Sequence, residues 1–284
     1  MTRDAPAFVD THVHLWDTKR LHYPWLADLP SLNRPMLPVD FSAAASAVTP
    51  SKFIFVECAC DPNQRAAEVE WISGVAKSEP RLKGIVAHAP LELGKAVRKD
   101  LERLARNPLV KGIRRNLQGE SHDFLNQAGF IEGINLLAEF GFTFDLCVRG
   151  SQLGAVSELV RRTPNVTFVL DHFGKPDVRG GGFASWSRAL RPLADCHNVV
   201  CKISGLATEA NCAHWRAAEL QPFFAYAFAC FGPDRVMFGS DWPVATLATT
   251  YDRWVETVLQ LAPCANQREL TQLFRTNAER IYHV

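Results

Sequence analysis

Two histidines separated by one residue follow a short apolar run near the start of the chain, in Phe8-Val9-Asp10-Thr11-His12-Val13-His14. Alternate side chains of an extended segment point the same way, so His12 and His14 can converge on one point. Two converging imidazoles can hold a divalent metal. A second apolar run near the other end stops at Gly239-Ser240-Asp241-Trp242-Pro243, where Asp241 can complete such a site as a ligand or as a proton acceptor.

The bulk composition is that of an ordinary globular protein. Of the 284 residues, 47% are hydrophobic and 21% are charged, which fits one large domain over residues 1–284 and argues against a disordered chain. The net charge of +1 does not indicate a nucleic-acid or membrane partner. No signal peptide or bilayer-spanning segment is visible, and the eight cysteines include no Cys-x-x-Cys pair. We expect a cytoplasmic protein that is a monomer or a small homo-oligomer.

Eight short apolar runs alternate with helix-like segments along the chain. The runs are continuous, as expected of strands buried on both faces; they cover residues 7–11, 53–57, 84–88, 110–114, 143–148, 166–171, 199–204 and 235–240. Helical spacing is predicted over residues 65–79, 93–107, 131–140, 153–162, 217–231, 251–261 and 269–281. Eight such units predict an α/β fold, a single-domain (β/α)8 TIM barrel. An open doubly wound sheet is the alternative, weakened because no Gly-x-Gly-x-x-Gly follows the first strand.

Two predicted loops are long, residues 15–40 after the first strand and residues 173–186 after the sixth. In a barrel, such loops and the strand ends before them form the catalytic face. Ionisable residues fall at the end of each predicted strand, namely His12, His14, Glu57, His88, Arg114, Arg115, Asp145, Asp171, His172, Lys202 and Asp241. Burying so many charges separately would be costly, so their convergence on one pocket is the better explanation.

Several of these residues also fit a structural role. Glu57 and Asp145 suit either function or an ion pair with Arg or Lys, and Lys202 is a candidate partner. Arg114 and Arg115 alternate in direction, so at most one of them should face the pocket. His172 is expected to act in the site, although capping of a loop through Asp171 is the alternative. His88 fits a structural role better, and among the remaining histidines only His22 and His214 are placed to reach the site.

Aromatic residues are numerous near the proposed face of the barrel. A sugar-like ligand offers C–H faces that pack on aromatic rings and hydroxyls that need hydrogen bonds. Most of these side chains are expected to pack the loops, and Trp25 and Trp242 are the candidates for substrate binding. The set is Trp16, Tyr23, Trp25, Trp186, Trp215 and Trp242.

These motifs resemble the amidohydrolase superfamily, in the branch that holds L-fucono- and L-rhamnono-lactonases and 2-pyrone-4,6-dicarboxylate lactonase. The matching segments span nearly the whole chain in the expected order. They are Val9-Asp10-Thr11-His12-Val13-His14-Leu15-Trp16-Asp17 with Tyr23-Pro24-Trp25, Lys111-Gly112-Ile113-Arg114, Leu170-Asp171-His172-Phe173-Gly174-Lys175-Pro176, Cys201-Lys202-Ile203-Ser204-Gly205-Leu206-Ala207-Thr208-Glu209-Ala210, Met237-Phe238-Gly239-Ser240-Asp241-Trp242-Pro243, and Asn277-Ala278 with Tyr282.

The resemblance implies hydrolysis of a cyclic ester at the mouth of the barrel, with His12, His14, His172 and Asp241 as the core of the site. Metal-rich members of the superfamily place a lysine or carboxylate on strand four and a histidine on strand five. Arg114 and Asp145 stand there in this chain, which argues against a binuclear centre. If one metal binds, zinc held by His12, His14 and Asp241 is expected; some members of the branch dispense with metal.

The reaction expected from these residues is direct attack of water on a sugar lactone. Asp241 would take the proton, and His172, Arg114 or a metal would stabilise the carbonyl oxygen, with Lys202 binding substrate. No Gly-x-Ser-x-Gly elbow is present, which counts against a serine esterase. Two alternatives stay open: a metal-dependent decarboxylase on the same scaffold, and a non-catalytic barrel that binds sugar acids.

Overall fold

Eight parallel strands in sequence order form the sheet of this computed structural model, which describes residues 7–284. Residues 1–6, part of the segment in which no signal peptide was seen, lie outside the described range. The strands are β1 (Val9–Val13), β2 (Lys52–Val56), β3 (Leu82–Ala87), β4 (Val110–Arg114), β5 (Thr143–Leu146), β6 (Phe168–Leu170), β7 (Val199–Ile203) and β8 (Val236–Phe238). The predicted (β/α)8 barrel is confirmed, and the open-sheet alternative is wrong because the first and last strands also meet.

Helices lie between the strands and after the last one. They are α1 (Pro38–Ala44), α2 (Arg65–Val75), α3 (Arg98–Ala105), α4 (His122–Leu125), α5 (Ala128–Phe140), α6 (Leu153–Arg162), α7 (Phe183–Ala194), α8 (Ala217–Phe231), α9 (Tyr251–Leu261), α10 (Gln267–Thr271) and α11 (Asn277–Tyr282). The predicted helices 153–162, 217–231 and 251–261 agree with α6, α8 and α9. None of the helices within residues 7–284 combines the length and the apolar character needed to cross a bilayer.

Two of the predicted helices are interrupted. Residues 93–107 begin inside a 3-10 segment, Leu91–Val97, because Gly94 has a positive φ of 59° that an α-helix does not accommodate. Residues 269–281 comprise the end of α10, a π-helical segment at Gln272–Thr276 and most of α11. The apolar period continues through both interruptions, so the sequence pattern alone does not reveal them.

Backbone hydrogen bonds next to the candidate site join the carboxyl end of β1 to the segment that follows β8. The amide of Asp241 donates to the carbonyl of His12 at 2.9 Å, and the amide of His14 donates to the carbonyl of Trp242 at 2.7 Å. The buried Asp10 carboxylate accepts from the amide of Ser240 at 2.8 Å and from the hydroxyl of Tyr251 at 3.0 Å. These contacts fix the register between residues that are more than 200 positions apart in the chain.

The strands are buried on both faces, which explains their continuous apolar runs. One cluster inside the barrel contains Val9, Val56, Val169 and Met237 and includes Tyr282 from α11. A larger cluster fills the space between the barrel and the surrounding helices. Cys58 and Cys201 are buried in that larger cluster, as expected of cysteines that pack as small apolar side chains. The polar side chains at the carboxyl ends of the strands are therefore supported by tightly packed apolar clusters.

Candidate active site

Three imidazole nitrogens and one carboxylate oxygen converge at the carboxyl ends of β1, β6 and β8. His12 belongs to β1 and His14 follows it, and their Nε2 atoms are 3.1 Å apart. Oδ1 of Asp241 lies 3.7 Å from Nε2 of His12, 3.5 Å from Nε2 of His14 and 3.8 Å from Nε2 of His172. The predicted meeting of the two ends of the chain is present in the structure.

The orientation of His14 is fixed by the neighbouring strand. Its Nδ1 lies 2.8 Å from the backbone carbonyl of Val56, which can only accept a hydrogen bond. Nδ1 of His14 therefore donates to this carbonyl, and its Nε2 is turned towards His12 and Asp241. A backbone contact of this kind is the usual support of a metal-binding histidine.

Asp241 is ionised in spite of its burial. Burial by itself would raise the pKa of its carboxyl, but His172 and hydrogen bonding to His14 outweigh that effect and hold the pKa below its ordinary value of 3.8. Burial also lowers the pKa of His172 well below the ordinary 6.5, so this imidazole is neutral near pH 7. A desolvated carboxylate beside the neutral imidazole of His172 can accept a proton from a water molecule.

Arg114 is the arginine that faces the site. Its Nε donates to Oε1 of Glu57 at 2.8 Å, and one Nη lies 3.4 Å from Nε2 of His12. Arg115 turns outward and forms ion pairs with Glu92 at 3.2 Å and Glu120 at 2.7 Å. The expected alternation is thus present, and Glu57 is an ion-pair partner that holds Arg114 in place.

Lys202 lies beneath His12 in a fully buried network. Its Nζ is 2.6 Å from Oδ2 of Asp145, 3.1 Å from Oδ1 of Asp171 and 3.2 Å from Nδ1 of His12. The hydroxyl of Tyr282 donates to Asp145 from below at 2.9 Å. Lys202 has no exposed surface, so this position does not suit the predicted contact with substrate, and we propose a positioning role for it instead. Asp145 is its ion-pair partner, in line with the structural alternative.

The donor set fits one divalent cation. Nε2 of His12, Nε2 of His14 and Oδ1 of Asp241 are the N and O ligands that zinc takes in proteins, and they lie within 3.1–3.7 Å of one another. Four buried carboxylates stand against two buried cations in the surrounding network: Glu57, Asp145, Asp171 and Asp241 against Arg114 and Lys202. One bound dication would offset that excess of negative charge.

A second group of possible ligands, His12, Asp171 and His172, shares one histidine with the first. The ammonium of Lys202 already lies against Asp171 and His12 on that side of the ring. A second metal ion would have to replace this charge. The geometry therefore favours a mononuclear site, as expected from Arg114 and Asp145.

The turn after β6 presents His172 in an uncommon backbone conformation. His172, Phe173, Gly174 and Lys175 all have positive φ, between 47° and 72°. The indole of Trp186 donates to the carbonyl of Phe173 at 2.8 Å, and Nδ1 of His172 lies 2.9 Å from the hydroxyl of Ser204. Consecutive left-handed residues are costly and persist where the surroundings hold them, commonly at functional sites.

The two tryptophans predicted to bind substrate differ in their surroundings. Trp25 is half-buried, and its indole nitrogen donates to the carbonyl of Cys58 at 2.8 Å. Trp242 is buried, with its ring 5.2 Å from that of Phe41, which is a packing position; substrate contact by Trp242 stays a prediction. His22 is paired with Asp61 at 2.8 Å on the exposed surface and His214 is exposed.

Sequence reasoning did not single out Lys175 and Gln118. Nζ of Lys175 donates to Oε1 of Gln118 at 2.9 Å, and both side chains are half-buried. Burial would lower the pKa of Lys175, but Cys147, Asp241 and Glu209 together raise it, so the ammonium stays charged. The sequence feature that could have pointed to Lys175 is its position three residues after His172, in a loop of the catalytic face.

The barrel, the paired histidines of β1 and the aspartate after β8 define the class of protein. Residues 9–284 match the amidohydrolase family pattern, and the chain belongs to this family. It therefore belongs among enzymes whose site is built on the carboxyl face of a (β/α)8 barrel.

Individual relatives resemble the chain over nearly its whole length. An L-fucono-1,5-lactonase of Burkholderia multivorans is 32% identical over 96% of this chain and 95% of its own. A second L-fucono-1,5-lactonase, from Burkholderia ambifaria, is 28% identical over 97% of this chain and 95% of its own. The crystal structure of an amidohydrolase from Burkholderia multivorans with bound zinc has a TM-score of 0.87 and 31% identity, covering 98% of this chain and 100% of that one.

Proposed function

We propose that this amidohydrolase is a cytoplasmic enzyme that opens a sugar lactone, of the L-fucono- or L-rhamnono-lactone type, to the free sugar acid. The observation that carries the proposal is the ionised carboxylate of Asp241 among three imidazole Nε2 atoms at the carboxyl end of the barrel. The two lactonase relatives, at 32% and 28% identity, support this substrate class. The proposed partner is the small-molecule lactone alone, and the protein acts as a monomer or small homo-oligomer.

Asp241 acts as the general base in this proposal. Its Oδ1 faces the space bounded by His12, His14 and His172, so a water held there lies within reach of the carboxylate. Asp241 removes a proton as the water attacks the lactone carbonyl carbon, and the carbonyl oxygen gains negative charge. The ring C–O bond then breaks, and protonated Asp241 returns the proton to the leaving alkoxide. The tethered leaving group makes a covalent enzyme intermediate unnecessary.

His172 and Arg114 stabilise the charge that develops on the carbonyl oxygen. Nδ1 of His172 lies 2.9 Å from the hydroxyl of Ser204, and the proposal takes Ser204 as the donor. This neutral imidazole then carries its proton on Nε2, which is directed into the site. Arg114 adds positive charge beside His12. Preplaced donors of this kind act strongly where water is excluded.

The residues of the donor set, His12, His14 and Asp241, would hold a single zinc ion in this proposal. A bound divalent cation would polarise the lactone carbonyl and favour ionisation of the attacking water. The proton transfers assigned to Asp241 do not depend on the cation. The fall in rate after the cation is removed with a chelator would therefore measure how much the cation contributes to catalysis.

Substrate recognition is assigned to Lys175, Gln118 and Trp25. The half-buried ammonium and amide of the first two can donate to ring hydroxyls, and the indole of Trp25 offers an apolar face. This mixture of one aromatic face and several donors suits a polyhydroxylated ring better than a planar aromatic acid.

A lactone screen tests the proposal. Purified enzyme is mixed with five- and six-membered aldonolactones in a weakly buffered pH indicator, with and without chelator, and acid release is recorded. The proposal expects rapid acidification with at least one sugar lactone. Carbon dioxide release from an aromatic or enoic acid would instead identify the decarboxylase alternative. A flat screen together with saturable thermal stabilisation by sugar acids would identify a binding barrel.

A further inference from the structure

Glu209 is a half-buried residue in the loop after β7, on the catalytic face of the barrel. It ends a 3-10 turn, Leu206–Glu209, and the residue before this turn, Gly205, packs against His172 and Asp241. The turn therefore starts at the candidate site. The groups assigned to recognition above offer donors and an aromatic face, whereas a sugar hydroxyl also needs an acceptor for its own hydrogen.

The loop that carries Glu209 is joined to the loop that carries Lys175. The amide of Arg179, in the loop after β6, donates to the backbone carbonyl of Glu209 at 3.0 Å. The strands that precede the two loops, β6 and β7, are neighbours in the sheet. Beyond the effect of burial, Glu209 raises the pKa of Lys175, and Lys175 lowers the pKa of Glu209. Asp241 acts on both pKa values, so the two charged groups lie beside the candidate base.

The carboxylate of Glu209 has charged neighbours but no hydrogen-bond donor. Burial raises its pKa above the ordinary 4.5, and Lys175 and then Arg149 oppose that effect through their charge. Within residues 7–284, Nζ of Lys175 donates to Gln118 at 2.9 Å and forms no ion pair with Glu209. The fully buried unpartnered atoms of the same range do not include the oxygens of Glu209, so solvent reaches them. Glu209 therefore offers an open acceptor.

A hydroxyl group suits the space between this ammonium and this carboxylate, because it can accept from one and donate to the other. We propose that Lys175 and Glu209 together bind one ring hydroxyl of the lactone, with Lys175 as the donor and Glu209 as the acceptor. A substrate without that hydroxyl would leave a desolvated carboxylate unpartnered, which a binding site penalises strongly. The inference rests on the proposed function and adds the feature of the substrate that the site selects.

Steady-state hydrolysis of L-fucono- and L-rhamnono-lactones, and of analogues that each lack one hydroxyl, tests the pair. For one of these analogues, the kcat/KM of wild-type enzyme should be lower than for the parent lactone by about ten- to a hundredfold, the value of a hydrogen bond to a charged group. Glu209→Met should show a similar loss on the parent lactone. On that one analogue, Glu209→Met and wild type should perform alike, because neither can make the bond.

Asp177→Asn is the matched control for the loss of a carboxylate. Asp177 also acts on the pKa of Glu209, but it is exposed and its carboxylate already accepts from the amide of Gly180 at 2.7 Å. Asp177→Asn should keep the wild-type order of preference among the lactones. Combining Glu209→Met with Lys175→Met should cost little more than either change alone, since both side chains contact the same hydroxyl.

An equal loss in Glu209→Met on the parent lactone and on every analogue would overturn the proposal, because it would show a general effect of charge. Unchanged kinetics in Glu209→Met would overturn it as well. Circular dichroism verifies folding. Should the variant not fold, the wild-type enzyme decides: equal hydrolysis of the parent lactones and all their deoxy analogues would contradict a bound hydroxyl.

Failure of the proposed function gives a different result, in which wild-type enzyme hydrolyses none of these lactones. The pair is then tested by calorimetric titration of the corresponding sugar acids, with and without each hydroxyl, into wild type and Glu209→Met. Weaker binding by Glu209→Met that is confined to acids carrying one particular hydroxyl would support the inference. Equal binding by both proteins, or none, would overturn it.

Discussion

Lys175 lies in a motif that the sequence shares with the lactonases, but the sequence alone assigned it no role. Its ammonium bonds Gln118 and is held charged by Cys147, Asp241 and Glu209. Lys175→Met should raise KM for the lactone by about ten- to a hundredfold, the value of a hydrogen bond from a charged donor, with a smaller effect on kcat. Initial rates over a substrate series measure the split. Lys99→Met, at an exposed position, is the control. An unchanged KM in Lys175→Met would show that Lys175 does not bind the substrate.

The buried carboxyl of Glu68 should make the free energy of unfolding depend on pH. Burial, followed by repulsion from Glu57, raises its pKa from 4.5 to about 8, so the folded protein retains a proton that the unfolded chain loses. Stability contributed by this neutral group is therefore complete below pH 4.5 and is lost as the pH rises toward about 8. We therefore take the free energy of unfolding of Glu68→Gln minus that of wild type. This difference should be more positive at pH 8 than at pH 5.

Urea unfolding at the two pH values measures that difference. The variant keeps a side-chain oxygen to accept from the amide of Cys58, so packing changes little. Glu70→Gln, on the exposed face of the same helix, controls for the loss of a carboxylate. A difference between Glu68→Gln and wild type that is the same at both pH values would contradict the assignment.

At the scale of single residues, the sequence predicted the convergence of the proposed ligands better than the contacts around them. His12 and His14 follow from alternation along a strand, and Asp241 follows from the closure of a barrel. The burial of Lys202 could not be predicted, because it depends on Asp145 and on Tyr282 from the last helix. The role of Lys175 depends on four consecutive left-handed residues, of which only Gly174 is a recognisable signal.

The turn after β7 positions the site through a glycine. Gly205 has a φ of 61°, and a Cβ there would stand 2.6 Å from Nδ1 of His172 and 3.1 Å from Oδ2 of Asp241. Gly205→Ala should lower kcat by displacing both side chains and destabilise the protein by about 1–3 kcal/mol through backbone strain. Steady-state rates and chemical unfolding measure the two effects.

Gly154→Ala is the matched control for that substitution. A Cβ at Gly154 meets nothing within 4 Å, and the residue lies in α6. The change should leave kcat as it is and stabilise the helix by up to about 1 kcal/mol. Wild-type turnover in Gly205→Ala would show that the β7 turn does not position His172 or Asp241.

At the scale of elements, the sequence predicted all eight strands, since strands buried on both faces leave continuous apolar runs. The observed ends of the strands differ from the predicted ends by a few residues. For example, β6 covers Phe168–Leu170, within the predicted range 166–171. The 3-10 segment around Gly94 and the π-helical segment at Gln272–Thr276 depend on packing against neighbours. Hydrophobic periodicity does not encode such local hydrogen-bond shifts.

The whole molecule should respond to a cation that bridges its two ends. His12 and His14 belong to the first strand region and Asp241 follows the last, so a ligand held by all three binds only the closed barrel. Zn²⁺ at about 100 times its Kd should stabilise the fold by about 2.7 kcal/mol. Thermal unfolding with ZnCl2, reversed by EDTA, measures the effect. His14→Ala should abolish the shift, and an equal shift in that variant would place the cation elsewhere.

The central claim is that residues from opposite ends of the chain form one hydrolytic site with Asp241 as its base. The most direct measurement is the turnover of Asp241→Asn on a lactone that the wild-type protein hydrolyses, with the exposed Asp195→Asn as control and circular dichroism to verify folding. We expect kcat to fall by about 10²- to 10⁴-fold, because the amide cannot accept the proton of the attacking water. Near-normal turnover of Asp241→Asn on every such lactone would contradict it.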